Sequence, residues 1–559
     1  MFIQTHNIIK GCTVLLLGVI VFMSSCTDLT EKVDNQVTSD QFFKTDQQFI
    51  SALGDAYGAL STWGSHNGWS SANEISSDEA IITQKGTDWF DGGIWIHAKR
   101  QNFQIEDAEL SNAWTNLFSG VNSSNRLIFQ FQSLVKSGDV DADKAGKFIS
   151  ELKVLRGFYY YLLLDGWGNV PIVTSFADAP ENPSQPNSDF QQGRTAVFDF
   201  IVKEVKDNIT ELNPDAGSTY GRVNTWVAHM LLAKLYLNAN VYRGLSNSSS
   251  EYQNYLNMAV AECDSIINSG NYSLAANYKD NFSANNSGSP ELIFVVPYDE
   301  VFLTGFNLDQ MTLHYASQST YNLNDQPWNG YAAMQETYDR YIDPNQNPGP
   351  QGNVIGDMGD TTKGTVDARL TNFIVGPQYD AQGNRLTDPG ATDADPDGPP
   401  LTFTPHIEHL QPNGLRQAGA RIGKFEIQQG AKANMNNDYP IFRYADVLLM
   451  KAEALWRLNN ADHEALRLVN MIRKRAKVDS YTSLNAQKIL DERAREMFYE
   501  VIRRQDLIRF QGDKGATKFN DPWTFKPKST DAHVNVFPIP RDQLEANPNL
   551  VQNPGYPSN

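Results

Sequence analysis

The chain has 559 residues, a formal net charge of −19 and 11% aromatic residues. So acidic a protein repels phosphate backbones, which argues against nucleic-acid binding. Its length and aromatic content supply material for a large core without help from cross-links.

Residues 1–25 read as a secretory signal, with Lys10 in the n-region and an apolar run from Gly11 to Met23. That run is too short for a bilayer span, which needs roughly 20 residues. It ends in Met23-Ser24-Ser25-Cys26, which resembles a bacterial lipobox with Cys26 as the lipidated residue. The alternative is a plain signal peptide with an incidental cysteine. Cys12 lies inside the signal, so Cys263 is left alone on a helical stretch, and a lone thiol permits no intramolecular disulfide. Residues 26–39 are polar and read as a tether, and the remainder, 40–559, is long enough for several domains by the usual prior.

Ser39-Asp40 are expected to cap a first helix carrying Phe42, Phe43, Phe49, Leu53 and Tyr57 to about residue 60. Residues 61–103 are rich in Gly, Ser, Asp and Trp and read as irregular. Helices are expected over Ala108–Val135 and Asp143–Gly166, the second stopped by Gly166-Trp-Gly-Asn-Val-Pro171. After a proline-bearing loop, helices are expected over Thr195–Leu212, Trp226–Tyr242 and Tyr252–Ser269, the last two forming a helical hairpin. Glu291–Val296 reads as a short strand. Val301–Asn437 is dense in Gly, Pro, Asn and Asp, and a loop region of that length is usually functional. Helical period returns at Tyr444–Leu458. Asn459-Asn460 breaks it, and Asp462 is placed to cap a second helix. A third helix is expected over Ala486–Phe510, with Asp491–Arg495 and Glu500–Arg504 on a solvated charged face.

The C-terminal pieces are Arg443-Tyr-Ala-Asp446-Val-Leu-Leu-Met-Lys-Ala-Glu453-Ala, Asn470-Met-Ile-Arg473-Lys-Arg475-Ala, Glu492-Arg493…Glu496…Glu500 and Arg504-Gln-Asp506-Leu-Ile-Arg509. They are followed by Phe537-Pro-Ile-Pro540, Asn547-Pro-Asn-Leu550 and Gln552-Asn-Pro-Gly-Tyr556. In this order they resemble the SusD/RagB proteins, surface glycan-binding lipoproteins of Bacteroidetes. Two positions depart from the family pattern: Val501 and Lys477 stand where glycine is common, which reads as local helix-end variation. The resemblance implies a mostly α fold, with 40–559 as a single domain. Tetratricopeptide-type helix pairs, at about 40–60, 108–270 and 439–510, would form a scaffold, and loops at about 61–103 and 301–437 would form a ligand face. It also implies a lipid anchor on Cys26 at the extracellular side of the outer membrane. Asp28 behind that cysteine resembles the surface-export signal of such lipoproteins. The implied partners are an oligosaccharide and a SusC-like TonB-dependent transporter, with no nucleic acid and no bond broken.

Sugar binding needs aromatic planes for the apolar C–H faces of the rings and polar forks for the hydroxyls. Asp88-Trp89-Phe-Asp-Gly-Gly-Ile-Trp95 and Gln326-Pro-Trp328-Asn-Gly-Tyr331 place tryptophans in loops. The first run resembles one on the family's glycan-binding side. The expected stacking residues are therefore Trp89, Trp95 and Trp328, and the expected hydroxyl binders are Asp78, Asp88 and Arg369. Packing of each loop tryptophan beneath its own loop is the competing reading. Trp114, Trp226 and Trp456 fall on helices and are expected in the core.

No catalytic residue, metal site or cofactor is expected. Asp393-Ala-Asp395-Pro-Asp397-Gly opens like a calcium loop, but Thr404 occupies the position where a bidentate Glu is required. A solvated acidic loop is the favoured reading there. His406 and His409 have no further ligands at zinc spacing. Two other functions stay open on the residues alone: a surface glycoside hydrolase, because any two suitably spaced carboxylates can do that chemistry, and a peptide-binding member of the same family.

Overall fold

A computed structural model describes residues 43–342, 367–388, 398–528 and 531–558. The signal, the tether, Cys26, Ser39, Asp40, Phe42 and the Asp393, Asp395 and Asp397 loop lie outside the described residues. The first described helix, α1, is Asp46–Tyr57. It starts later than expected because Gln48 accepts hydrogen bonds at Oε1 from the N–H groups of Lys44 and Thr45 (2.8 and 2.9 Å), which fixes the start beyond Phe43.

From Phe49 onward the chain forms one compact unit. Its scaffold is a row of packed helices: α4 (Ala108–Ser137), α5 (Ala142–Gly166), α6 (Phe190–Asn208), α7 (Thr225–Leu237), α9 (Ser250–Ser269), α13 (Tyr444–Leu458) and α14 (His463–Arg475). Four-residue connections make α4–α5 and α13–α14 antiparallel hairpins. Five of these starts carry a side-chain cap. Asp141, Asp189, Asn224, Ser249 and Asp462 accept from backbone N–H groups of the first turns of α5, α6, α7, α9 and α14. The short helix α8 (Ala239–Tyr242) follows α7. Strand β2 (Leu292–Val296) pairs antiparallel with β8 (Tyr439–Arg443), Leu292 opposite Arg443, and β8 feeds the chain directly into α13. Cys263 is buried, and burial pushes its thiol pKa up, which fits an inert core residue.

Three expectations are corrected. Residues 61–103 are not wholly irregular: they contain α2 (Trp69–Ser76), β1 (Ala80–Ile82) and α3 (Ile94–Arg100). Tertiary packing buries every residue of α2, serines included, and overrides the weak local helix propensity of serine.

The expected third helix is two helices, α15 (Ala486–Glu496) and α16 (Arg503–Arg509). Between them Tyr499 and Val501 sit at φ +57° and +62°, a left-handed backbone. Their freed N–H groups donate to the buried carboxylates of Glu79 (3.1 Å) and Glu74 (2.7 Å) on the α2–β1 segment. Lys477, just past α14, sits at φ +59°. Both positions where the family favours glycine are therefore left-handed, the conformation glycine adopts without a Cβ penalty.

The charged face of the expected third helix is buried, not solvated. Arg443 Nη1 lies 3.0 Å from Glu291 and 2.7 Å from Glu496, and its Nε lies 2.7 Å from Glu500. Lys424 pairs with Glu500, and Arg475 bridges Glu291 and Glu496. A second cluster joins Arg509 to Glu453 and Asp506, and Arg493 to Asp506 and Asp446. Burial opposes ionisation of Glu496 and Glu492. The guanidinium groups of Arg475, Arg443 and Arg369 outweigh it for Glu496, and those of Arg369, Arg495 and Arg473 for Glu492, so both carboxyls stay below the usual range.

Candidate functional site: an aromatic platform on the loop face

The residues between β2 and β8 hold short elements: α10 (Leu308–Thr312), α11 (Gln318–Tyr321), β3 (Tyr331–Ala333), α12 (Gln335–Asp339) and the strand pairs β4–β7 (Phe373–Ile374, Arg421–Ile422) and β5–β6 (Gly376–Pro377, Thr402–Phe403). The pairing that builds the site is β1 with β3, antiparallel, Ala80 opposite Ala333 and Ile82 opposite Tyr331. This register makes the chain leaving β1 run beside the chain entering β3. Trp89 follows the first strand and Trp328 precedes the second, so two tryptophans far apart in sequence meet.

Local geometry then fixes them. Lys85 and Asp88 close a tight turn through reciprocal backbone hydrogen bonds of 2.9 and 3.2 Å. Trp89 follows at φ +61°. Its indole N–H donates to the Trp328 carbonyl at 2.8 Å. A Cβ on Gly330 would lie 2.7 Å from Trp89 Cζ2, so only glycine lets the indole rest on the backbone there. The Trp328 loop is pinned from behind by its own N–H to the Gln310 carbonyl (2.6 Å) and by Asn329 N–H to the Leu313 carbonyl (3.0 Å).

His66 completes the cluster. Its ring stands edge-on to both indoles, with centroids 6.4 Å from Trp89 and 5.4 Å from Trp328, at 88° and 72°. Asn307 Nδ2 lies 2.9 Å from His66 Nδ1. With the amide nitrogen donating, the ring proton is on Nε2. Burial pushes the His66 pKa down, against the Asp91 charge, so the ring is neutral near pH 7.

Trp89 is partly exposed, Trp328 is 38% exposed and neighbouring Phe90 is 52% exposed. At one edge Asp88 accepts a hydrogen bond from the Tyr315 hydroxyl at 2.6 Å. The Arg416 guanidinium lies 5.5 Å from the Tyr315 ring centroid and 3.8 Å from the Asp388 carboxylate.

Of the six expected ligand residues, the structure brings Trp89, Trp328 and Asp88 to one surface. The other three are corrected. Trp95 is 2% exposed. Its N–H donates to Asp91 at 2.6 Å and its ring packs against Trp89 from below, 6.3 Å away. Asp78 is 2% exposed and receives Arg503 at 2.7 and 2.9 Å as well as Arg340. Burial opposes its charge, but the two guanidinium groups hold its carboxyl far below the ordinary value. Arg369 is fully buried on Asp367, Glu492 and Glu496. Both belong to the internal ion-pair network and have no surface to offer a sugar.

Sequence reasoning missed His66, Tyr315 and Asn307. His66 had a readable signal, since it sits in a glycine-rich loop between Trp63 and Trp69. Tyr315 and Asn307 had none beyond lying in the long loop region.

Trp114 and Trp456 are buried as expected, while Trp226 stays partly exposed with its N–H on the Pro214 carbonyl (2.8 Å). His406 Nδ1 faces Gln335 Oε1 at 3.1 Å, and among the described residues no group of three or more His, Cys, Asp or Glu is placed to hold a metal. A separate groove of about 700 Å³, lined by Phe118, Val173, Phe176, Pro180 and Leu550 among others, shares no residue with the aromatic cluster.

Comparison with known proteins agrees with this architecture. A model described as the SusD family matches residues 290–556, and one described as starch-binding, associating with outer membrane, matches residues 29–237. A SusD-like protein of Bacteroides ovatus is 23% identical over 93% of this chain and 86% of its own length. The starch-binding protein SusD of Bacteroides thetaiotaomicron is 25% identical over 73% of this chain and 72% of its own length. Among solved structures, surface glycan-binding protein A of Bacteroides thetaiotaomicron in complex with laminarihexaose superposes with a TM-score of 0.65 at 22% identity, covering 91% of this chain and 99% of that one. A SusD superfamily protein of Parabacteroides distasonis superposes at 0.68 with 18% identity, over 93% and 100% of the two chains. With two SusD models that together match most of its length, the chain belongs to the SusD/RagB family.

Proposed function

We propose that this protein binds oligosaccharide on the platform formed by Trp89, Trp328 and His66, and that it does so without breaking a bond. The observation that carries the reading is the joint placement of Trp89 and Trp328. Two indoles from loops over two hundred residues apart are locked together by a hydrogen bond and left partly exposed. Leaving such area in water has a hydrophobic cost that packing beneath a loop would have removed. A sugar ring covers it, C–H face to π face, while Asp88 and the loop backbone meet the hydroxyls. The relatives described as starch-binding and as bound to laminarihexaose support a glycan as the ligand class.

Association with the outer membrane fits the description of the matching N-terminal model. In this reading Cys26 carries the lipid, the platform faces the cell exterior, and the bound glycan is passed to a SusC-like TonB-dependent transporter that the protein covers as a lid.

Calorimetry of the full-length chain in detergent against a panel of neutral and acidic oligosaccharides and a peptide digest tests the reading. Binding of a glycan that weakens by about tenfold or more in Trp89→Ala and in Trp328→Ala, with no product released, is the expected result. Binding of peptides only would overturn the glycan reading, and turnover of a bound glycan would overturn the non-catalytic one.

A further inference from the structure

We infer that the glycan taken by this platform is uncharged, and that uronate-bearing and sulfated chains are rejected by the carboxylates set into its edge. The inference rests on the glycan reading above and concerns which glycans that same site accepts.

The charged groups beside the rings decide it. Asp88 immediately precedes Trp89, is half-buried, and has one carboxylate oxygen engaged by the Tyr315 hydroxyl. Asp91 is exposed, holds the Trp95 indole N–H on one oxygen, and lies close enough to His66 to act on its charge. The cations nearby are not open to a ligand. The Lys85 side chain is buried with its amine on the Thr83 carbonyl at 3.1 Å. Arg421 is buried on the Ala418 and Gly419 carbonyls and on Asn329 Oδ1. Arg416 keeps partial exposure, but it lies over the Tyr315 ring with the Asp388 carboxylate 3.8 Å away, so its charge is already met. His66, the remaining basic side chain against the indoles, is neutral near pH 7 for the reasons given above. Among the described residues the platform therefore carries negative charge at its edge and no uncompensated accessible cation.

The hydrogen-bonding inventory points the same way. A carboxylate only accepts, so Asp88 and Asp91 call for donors on the ligand. Vicinal sugar hydroxyls supply donors. A uronate carboxylate or a sulfate ester supplies acceptors and a second negative charge, which would face Asp88 or Asp91 across a few ångströms of partly dehydrated space. Like charges so placed discriminate between partners more strongly than an extra favourable contact does. The net charge of −19 adds a long-range field of the same sign, which slows the approach of a polyanion.

The test is calorimetry of the full-length chain in detergent with hexasaccharides matched in length: laminarihexaose and maltohexaose as neutral probes, and hexameric galacturonate and a sulfated galactan hexamer as acidic ones. The expected result is binding of a neutral hexamer with the acidic hexamers at least about tenfold weaker at 0.15 M salt. For the acidic hexamers the gap should narrow as salt rises. In the Asp88→Asn/Asp91→Asn double variant, acidic affinity should rise about threefold while neutral affinity does not rise. Arg416→Gln serves as the second variant and should leave acidic binding no weaker. Thermal melts of both variants verify that they fold.

An acidic hexamer that binds as tightly as the neutral ones, and loses that binding in Trp328→Ala, overturns the charge selection and leaves the glycan platform standing. Acidic binding abolished by Arg416→Gln overturns it as well, by showing Arg416 to be an anion receptor. Binding of no carbohydrate of either class overturns the glycan reading, and this inference with it.

Discussion

Two regions of this molecule use the residue types that usually mark a ligand site, and they use them in opposite ways. In the C-terminal core, Arg443, Glu291, Glu496, Glu500 and Arg369 are charged, numerous and inward, and their charges answer one another. On the loop face, Trp89 and Trp328 are apolar and outward, with ring area left open among the described residues. Ligand capacity follows from what is left unsatisfied. The arginines have spent their donors internally, whereas the indoles keep a surface that water serves poorly.

The largest effect is expected where that internal balance is broken. Arg443→Met leaves Glu291, Glu496 and Glu500 buried beside fewer cations and should cost about 3–5 kcal/mol of stability in urea denaturation. A loss under about 1 kcal/mol would mean that the network is incidental to the core.

Glu109 sharpens the contrast from inside. It is fully buried and neither carboxyl oxygen has a hydrogen-bond partner, and burial, with the Asp107 charge, pushes its pKa up to about 8. The unfolded chain releases this proton near the ordinary value of about 4.5 and the folded chain only near 8. Stability is therefore unaffected below about pH 4.5 and falls as pH rises from there towards 8. Glu109→Gln should match the parent near pH 4.5 and exceed it at pH 8 by on the order of 4 kcal/mol. Parallel stability curves for the two proteins would refute the assignment of an unpaired buried acid.

On the platform, Trp328→Ala should weaken glycan binding by about tenfold in calorimetry while the melting temperature stays put. An equal loss of stability would show the ring to be core material. The smallest effect concerns the strained backbone: Val501→Gly and Lys477→Gly should each stabilise by up to about 1 kcal/mol, because glycine accepts φ near +60° and β-branched or long side chains do not accept it freely. Destabilisation in both would mean that the lost side-chain contacts outweigh the strain.

Much of this was legible along the chain. Helices α13 and α14 could be placed to within a residue or two from Asn459-Asn460 and Asp462, because stops and caps act within one turn. The loop tryptophans stood out because they interrupt stretches of Gly, Asp and Asn. The charged run from Glu492 to Arg509 misled, since its i,i+4 spacing is identical whether the face meets water or a second set of charges.

By itself the sequence determined the helical pairs, their caps, the strand before the loop region and the family, all of which depend on interactions within a few residues or on motifs read in order. Only the tertiary structure decided which charged and aromatic residues remain available. Asp78 meets Arg503 across 425 positions, and Trp89 meets Trp328 across 239. The β1–β3 register and the break at Tyr499–Val501 set those meetings. A residue's partners, rather than its type, decide whether it is spent on the fold or left for a ligand, and partners that distant are chosen by packing alone.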